Sequence, residues 1–310
     1  MPITFDAIKL GEEVRQLPDS SWMAHPNNLP GNSAVALISS GGGNNNSFEG
    51  AKAETPHLDS CPYIRQVMAS FNVLVSRSRL MKLEPGAKVN WHVDFNYHWY
   101  DRIRLHVPVI TNEEVIFHCG PESVHMKAGD CWIFDHWRRH SVDNNSTEAR
   151  VHLVIDTCGS SEFWRWVSAV ENLSESEISE KSEAIEYCPG KPVDLKLERY
   201  SGLPVMAPGE LSALIEDLIT DFSAYPENDP KLILRYQTLM RGFAADWRML
   251  WLQYQHETAG LIHYQTLIQQ TRDSLEPNMR ALVTNSNQIG VNAVFAQRVL
   301  NAALTQFDTD

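Results

Sequence analysis

The sequence has few of the features that mark secreted, membrane or nucleic-acid-binding proteins. Its 310 residues include five cysteines without CxxC spacing, so neither a disulfide framework nor a thiolate zinc site is expected. No basic N-terminal segment precedes an apolar run, and no apolar run approaches the roughly 18 to 20 residues that span a bilayer. The net charge of −13 lacks the basic excess that nucleic acids and anionic membranes require. We therefore expect a soluble, cytoplasmic protein without a nucleic-acid or membrane partner.

The first half of the chain has a β-type pattern. Hydrophobic residues make up 43% and charged residues 21%, which is a globular composition. Short apolar runs separated by turn residues predict strands of an antiparallel sandwich or barrel. These runs span 72–83, 102–109, 113–119, 130–135 and 149–156. Before them, SSGGGNNNSFEG at 39–50 predicts a mobile surface loop.

After Gly159 the pattern becomes helical. Apolar residues recur at helical spacing from Pro208 to Tyr225, and the Asp229-Pro230 pair is a good helix start for the segment 232–257. Further helices are expected at 259–273 and 288–306. We therefore divide the chain into residues 1–159 with a core at about 70–158, a connecting segment at 160–204, and a helical domain of unknown role at 205–310. Any homodimer is expected to form through the helical domain.

A group of polar residues within the β region has the spacing of a metal site. His92 and Asp94 lie two apart, so on a strand both side chains point to the same face. A third ligand must come from another strand, and His140 is a candidate. Two histidines and one carboxylate on one side of a metal, with open positions opposite, are typical of non-haem Fe(II) oxygenases. Open positions accommodate a chelating 2-oxo acid and dioxygen.

Arg150 and the pair Arg104 and His106 point to an acidic cosubstrate. Arg150 begins the run RVHLVID, and its planar guanidinium suits the far carboxylate of a dicarboxylic 2-oxo acid. Arg104 and His106 lie two apart on another predicted strand and would add a cation and a donor to the same cavity. Arg79 is a candidate for binding a substrate carboxylate, and Trp91 for a pocket wall. Each of these residues is also compatible with an ordinary structural role.

Together these motifs resemble a known family. The PGAKVNWHVD, IRLHVPV, AGDCWIFD and RVHLVID segments are similar, in order and spacing, to the aspartyl/asparaginyl β-hydroxylases, which are Fe(II)- and 2-oxoglutarate-dependent oxygenases. The resemblance implies a β-rich double-stranded β-helix core of the jelly-roll or cupin-like type, followed here by a separate all-α domain. It also implies catalytic Fe(II) held by His92, Asp94 and His140. The cosubstrates would be 2-oxoglutarate, bound by Arg150 with His106 and Arg104, and dioxygen.

The resemblance leaves more than one substrate class open. Vertebrate-type protein hydroxylases of the family lack the carboxylate ligand, whereas this sequence keeps Asp94, as the bacterial amino-acid hydroxylases do. We therefore expect a dioxygenase that hydroxylates a free amino acid or a small amino-acid-like molecule while converting 2-oxoglutarate to succinate and CO2. The alternative is the same chemistry on a side chain of a peptide or protein. A cupin-type metal-binding module without oxygenase activity ranks lower, because it does not explain Arg150.

Overall fold

The computed structural model describes residues 1–25, 29–200 and 202–305. Among these, Met1–Val93 and Asp101–Ser201 form one compact unit, while Asp94–Tyr100 and Gly202–Asp310 form a second. Within the described ranges, no helix combines the length and the apolar character needed to cross a bilayer.

Twelve strands are present in the described part of the chain. They are β1 (Ile3–Phe5), β2 (Met23–Ala24), β3 (Asn32–Ser40), β4 (Lys52–Glu54), β5 (Ser78–Leu83), β6 (Lys88–His92), β7 (Ile103–Ile110), β8 (Val115–Cys119), β9 (Glu122–Val124), β10 (His140–Asn144), β11 (Arg150–Thr157) and β12 (Glu183–Ile185). The larger sheet has the order β2-β3-β5-β11-β7, with β4 beside β3, and the smaller has the order β6-β10-β8-β9. Strands β1 and β12 form a separate parallel pair.

The two faces of the larger sheet differ in chemistry because side chains alternate along each strand. One face carries apolar residues such as Leu80, Leu105 and Leu153, which join the main core with the helices of the first unit. Those helices are α1 (Ala7–Gln16), α2 (Pro56–Asp59), α3 (Pro62–Ser70), α4 (Ser161–Ser168) and α5 (Glu175–Glu180). The other face carries arginines and histidines that are also buried. A buried polar face of this kind needs partners, and it faces the candidate site.

The smaller sheet packs through its apolar side chains. Phe117 and Val142 form a second cluster with Leu83 of the larger sheet, and Phe134 packs against it. The two sheets therefore contact each other directly. The larger sheet's polar face begins where this apolar contact ends, since the ring of His106 lies 6.3 Å from that of Phe117.

The second unit is helical. Its helices are α6 (Pro208–Ser223), α7 (Pro230–Tyr254), α8 (Leu261–Asp273), α9 (Val291–Val294) and α10 (Asn301–Ala303), with a π-helical turn, Phe295–Leu300, joining the last two. Asp229 caps α7, as the sequence predicts, by accepting a 2.8 Å hydrogen bond from the Lys231 amide. The fully buried Trp247 lies in the interior of this unit, and its indole N–H donates to the Met206 carbonyl at 3.0 Å.

Two parts of the chain differ from the sequence prediction. Residues 130–135 form only single bridges, Thr4–Asp130 and His106–Trp132, and the second of these joins the segment to the edge strand β7 at one position. The predicted connecting segment, 160–204, is part of the first unit as far as Ser201. It contributes α4, α5 and β12 and pairs Leu197 with Val75, so it completes that unit instead of only leading to the next one.

Candidate active site

The small sheet brings the predicted histidine ligands together. Strands β6 and β10 pair antiparallel with His92 opposite His140, and the two ring centroids are 4.1 Å apart. Asp94 follows two residues after His92, and one ligand atom from each of these three side chains lies within 4.8 Å of the others. Among the described residues, this is the one group of three or more His, Cys, Asp or Glu side chains with metal-binding proximity.

Backbone contacts set the orientation of both histidines. His92 Nδ1 lies 2.8 Å from the Asn90 carbonyl, and His140 Nδ1 lies 2.9 Å from the Arg138 carbonyl. Since a carbonyl oxygen can only accept, each Nδ1 carries the proton and each Nε2 carries the lone pair. Metal-binding histidines are commonly oriented by such a second hydrogen bond. The donor set and its tautomers therefore fit a divalent transition metal.

A buried arginine and two histidines lie on the polar face of the larger sheet. Arg150 and His152 both belong to β11, and Arg150 Nη2 lies 2.6 Å from His152 Nδ1. His106 of β7 reaches the same place, with its ring 6.0 Å from that of His152. Arg150 Nε, His152 Nε2 and both ring nitrogens of His106 are buried without a hydrogen-bond partner in the part of the chain described. Buried polar groups are normally paired, so these atoms fit a polar ligand.

Burial also sets the charges of this cluster. It lowers the pKa of His106 and of His152 well below the usual value, and the nearby cations Arg104 and Arg150 act in the same direction. It lowers the pKa of Arg150 to about 9. At neutral pH the cluster therefore holds one guanidinium cation and two neutral imidazoles, which is a favourable environment for a carboxylate. No carboxylate among the described residues forms an ion pair with Arg150.

Arg104, predicted to contact the cosubstrate, already has a carboxylate partner. It binds both oxygens of the fully buried Asp156, from Nε at 2.6 Å and from Nη2 at 3.0 Å. Arg77 adds a longer contact of 3.4 Å from its Nε to the same carboxylate. This geometry assigns the Nε edge of Arg104 to holding Asp156, so any contact with 2-oxoglutarate would have to use the rest of the guanidinium.

Arg79 lies on the same polar face and is tied to the loop predicted to be mobile. Its Nη1 donates to the Asn46 side-chain oxygen at 2.9 Å, and Arg77 Nη1 donates to the Asn46 carbonyl at 3.0 Å. The Arg77 guanidinium also lies 3.9 Å from the centroid of the Phe48 ring. From within, the buried Lys52 ammonium donates to the carbonyls of Phe48, Glu49 and Gly50 at 2.8 to 3.1 Å. The loop is therefore held over Arg77 and Arg79 by these bonds.

Trp91 is not brought to the triad. Neighbouring residues on a strand point to opposite faces, so Trp91 lies on the other side of the small sheet from His92. There it is 48% exposed, and its ring packs 5.7 Å from that of His118. Its predicted role in the substrate pocket has no support from this placement.

Sequence reasoning missed three residues beside the site. His136 is buried with its ring 6.0 Å from that of His140 and 6.4 Å from that of His106. It lies outside any strand, so no alternation pattern could reveal it. Asp156 lies an even number of residues after Arg150 and His152 on β11. Strand alternation alone therefore predicts that it faces the same side. Asn46 lies in a low-complexity loop whose sequence gives no such signal.

The fold and the site together define a domain with a candidate metal site and a buried polar face that carries arginines and histidines. Residues 33–159, about two fifths of the chain, match the sequence model of a family described as aspartyl/asparaginyl beta-hydroxylase. The matched segment contains all the residues of the candidate metal and anion sites. The family indicated by the motifs is therefore confirmed, and this segment is an aspartyl/asparaginyl β-hydroxylase domain.

Other comparisons are more distant. A comparison with curated protein sequences finds no match. Among solved structures, a predicted oxalate decarboxylase from Thermotoga maritima is 18% identical over 44% of this chain and 89% of its own, with a TM-score of 0.26. KdgF from a Halomonas species is 10% identical over 46% and 88%, also with a TM-score of 0.26. A sugar phosphate isomerase of a cupin superfamily from Silicibacter pomeroyi is 17% identical over 44% and 68%, again with a TM-score of 0.26. At these scores the similarities carry no argument about this chain.

Proposed function

We propose that the protein is an Fe(II)- and 2-oxoglutarate-dependent dioxygenase that hydroxylates a free amino acid or a small amino-acid-like molecule. In each turnover one oxygen atom of O2 enters a substrate C–H bond as hydroxyl. The other enters 2-oxoglutarate, which leaves as succinate and CO2. The observation that carries this proposal is the buried Arg150, with neutral His106 and His152 beside it and no carboxylate partner among the described residues.

Under this proposal, His92, Asp94 and His140 would hold the iron. When bound, iron of this type activates dioxygen and oxidises the substrate. The two Nδ1 contacts to backbone carbonyls keep both imidazoles in the tautomer that ligates through Nε2. The protein's contribution is to fix these three ligands on one side, so that the remaining positions stay available for the cosubstrate and dioxygen.

Arg150 would bind the far carboxylate of 2-oxoglutarate, and His106 would lie along the cosubstrate toward the metal. In support, the ring of His106 lies 6.0 Å from that of His152, and the ring of Phe134 lies 5.2 Å from that of His106 and 4.9 Å from that of His140. The cluster is buried, which excludes water and strengthens each charge-assisted hydrogen bond. We further propose that the two sheets close into the double-stranded β-helix that the family resemblance implies.

The substrate would present its carboxylate to Arg79. Arg79 is 6% exposed and belongs to the same polar face as Arg150 and His106. Opposite Arg79 on β3 is Ala36, whose small side chain leaves room on this face.

The test is turnover of 2-oxoglutarate by purified protein with Fe(II) and ascorbate, followed as succinate across a panel of free amino acids. We expect substrate-dependent succinate together with a product 16 Da heavier, since one oxygen atom is added. In Arg150→Ala, 2-oxoglutarate binding should weaken about 100-fold, because leaving one partner of a buried charged pair alone costs about 2 to 5 kcal/mol. Arg165→Ala, which removes an exposed arginine of α4, is the matched control and should bind normally.

Two results would overturn the proposal in different ways. If the wild type neither binds nor turns over 2-oxoglutarate with any substrate, the reaction class is wrong. If 2-oxoglutarate binds and is turned over with peptides but with no free amino acid, the chemistry stands and the substrate is a protein side chain.

A further inference from the structure

Helix α7 has two apolar faces, and only one of them is used inside the molecule. Tyr236, Met240, Phe243 and Trp247 point into the helical unit and are nearly or fully buried. On the opposite side, six small or apolar residues recur at spacings of three and four, which on a helix of 100° per residue places them within an arc of about 80°. They are Leu234, Thr238, Gly242, Ala245, Met249 and Leu252. We call this set the outer stripe.

The outer stripe is unusually exposed for apolar residues. Leu234 is 65% exposed, Met249 is 68% exposed and Leu252 is 69% exposed. Single exposed apolar residues are normal on a protein surface, but a continuous apolar stripe indicates an interaction site.

The two ends of the outer stripe have complementary shapes. At the N-terminal end is a groove of about 460 Å³, lined by Lys231, Leu234, Arg235, Thr238, Leu239 and Ser274. At the C-terminal end the long side chains of Met249 and Leu252 project into solvent. Between them lie Gly242 and Ala245, which have little or no side chain to keep a second helix away. The groove and the residues that would fill it are thus on the same helix.

We propose that α7 pairs antiparallel with α7 of a second copy of this chain, about a two-fold axis beside Gly242 and Ala245. A two-fold interface uses the same patch on both subunits, so each groove must be filled by residues of that same patch. In this arrangement Met249 and Leu252 of each copy enter the groove beside Leu234 and Thr238 of the other. Only the antiparallel direction brings the projecting end of one stripe to the groove end of the other.

The charges along α7 favour the same direction. Its C-terminal end carries the partial negative charge of the last carbonyls, and the antiparallel arrangement places this end beside Lys231 of the second copy. Arg235 is already paired with Glu276 within its own copy. On one flank of the stripe, Arg241 and Arg248 of opposite copies approach each other. Arg241 is already paired with Glu216 through two 2.7 Å bonds, so its positive charge is compensated within each copy.

The first experiment measures mass in solution by sedimentation velocity and by light scattering. We expect the wild type to be a dimer, and Met249→Glu/Leu252→Glu to be a monomer with an unchanged circular dichroism spectrum. Leu203→Glu is the matched control, since Leu203 is also exposed (56%) and belongs to the same unit but lies outside the stripe; it should remain dimeric. A monomeric wild type, or a double variant that stays dimeric, overturns the proposal.

The second experiment tests the direction of the helices by oxidative cross-linking. It uses a background in which the exposed Cys158 and Cys188 are replaced by serine. Thr238→Cys/Met249→Cys should form a covalent dimer, because antiparallel pairing sets these positions opposite each other. Met249→Cys alone should not, because its two copies would be about 16 Å apart along the axis, beyond the reach of a disulfide. Cross-linking of Met249→Cys alone would indicate parallel pairing and would overturn the arrangement proposed here.

Discussion

Two histidines of the small sheet occupy opposite faces, and this difference separates a proposed metal ligand from a surface residue. His140 is buried opposite His92, whereas His118 contacts Ser123 and Asp143 on the partly exposed face. We expect His140→Ala to abolish binding of Fe(II) or Co(II), because it removes one of three ligands. His118→Ala should bind as the wild type does. Anaerobic titration calorimetry measures both, and equal losses in the two variants would place the metal elsewhere.

The buried histidines make stability depend on pH in a definite direction. His106 and His152 stay neutral when folded, because burial holds the pKa of each well below the usual 6.5. The unfolded chain therefore binds more protons below pH 6.5, and stability falls as the pH drops from there toward the folded-state pKa values. Each histidine contributes up to about 1.4 kcal/mol per pH unit within that window.

Urea unfolding of the metal-free protein between pH 7.5 and pH 5 measures this slope. His106→Gln should make the dependence shallower, because one of the groups that must be protonated on unfolding is gone. His57→Gln is the control, because His57 lies in α2, away from the polar face, and its removal should leave the slope unchanged. A wild-type curve that is flat over this range would contradict the neutral state of the buried histidines.

At the same scale, the alternation of side chains along a strand explains which parts of the site could be predicted from the sequence. Residues an even number of positions apart have the same parity and face the same side. His92, Arg104, His106 and Arg150 each lie on a strand whose alternation fixes the side they face, whereas Asp94 lies two residues beyond the end of β6. Parity does not say which side chains from other strands lie beside them. The pairing of Arg104 with Asp156 is set by the register of β7 against β11, which no local pattern encodes. His136 and Asn46 lie outside strands, where parity does not apply.

At the scale of elements, the loop between β3 and β4 is held by the buried Lys52 in addition to Arg77 and Arg79. The Lys52 ammonium donates to three loop carbonyls and to the Ser40 hydroxyl at 2.9 Å. We expect Lys52→Met to release the loop, because hydrogen bonds from a charged group contribute about 1.5 to 3 kcal/mol each. Limited proteolysis should then cut within residues 41–50 at least tenfold faster than in the wild type.

The control for this loop is Lys127→Met, which removes an exposed lysine. It should leave the cleavage rate unchanged. If Lys52→Met is cut no faster than this control, the loop is held by Arg77 and Arg79 alone.

Elements with strong end signals were predictable to within a few residues. Helix α6 begins at Pro208, and α7 begins at Pro230 after its capping residue Asp229. The apolar run at 130–135 has the composition of a strand but meets the edge strand β7 at a single bridge, which its composition does not reveal. The glycine- and asparagine-rich loop at 39–50 was expected to be mobile. The lysine whose hydrogen bonds hold it, Lys52, lies two residues after the loop and is not part of that sequence pattern.

At the scale of the whole molecule, residues 160–201 complete the first unit. An ion pair near the end of this segment offers a way to measure how much the segment stabilises the unit. Glu198 binds Arg102 at 2.7 Å, with both side chains less than a tenth exposed. We expect Glu198→Gln to lower the free energy of unfolding by about 1 to 3 kcal/mol, because it removes the carboxylate that accepts two hydrogen bonds from the largely buried Arg102 and leaves the exposed Asp101 as its charged partner. Glu216→Gln breaks an exposed pair with Arg241 and should cost about 0 to 1 kcal/mol. Urea unfolding measures both, and similar costs would mean that the segment adds little to the unit.

The parallel pairing of β1 with β12 has a consequence for synthesis. Ile3–Phe5 leaves the ribosome first, but its partner Glu183–Ile185 is made 180 residues later. At about 5 to 20 residues per second, this strand waits roughly 10 to 40 s before it can pair. All strands of the two larger sheets are translated within that interval. The nascent chain can therefore assemble the sheet that carries His92 and His140 before β1 pairs with β12.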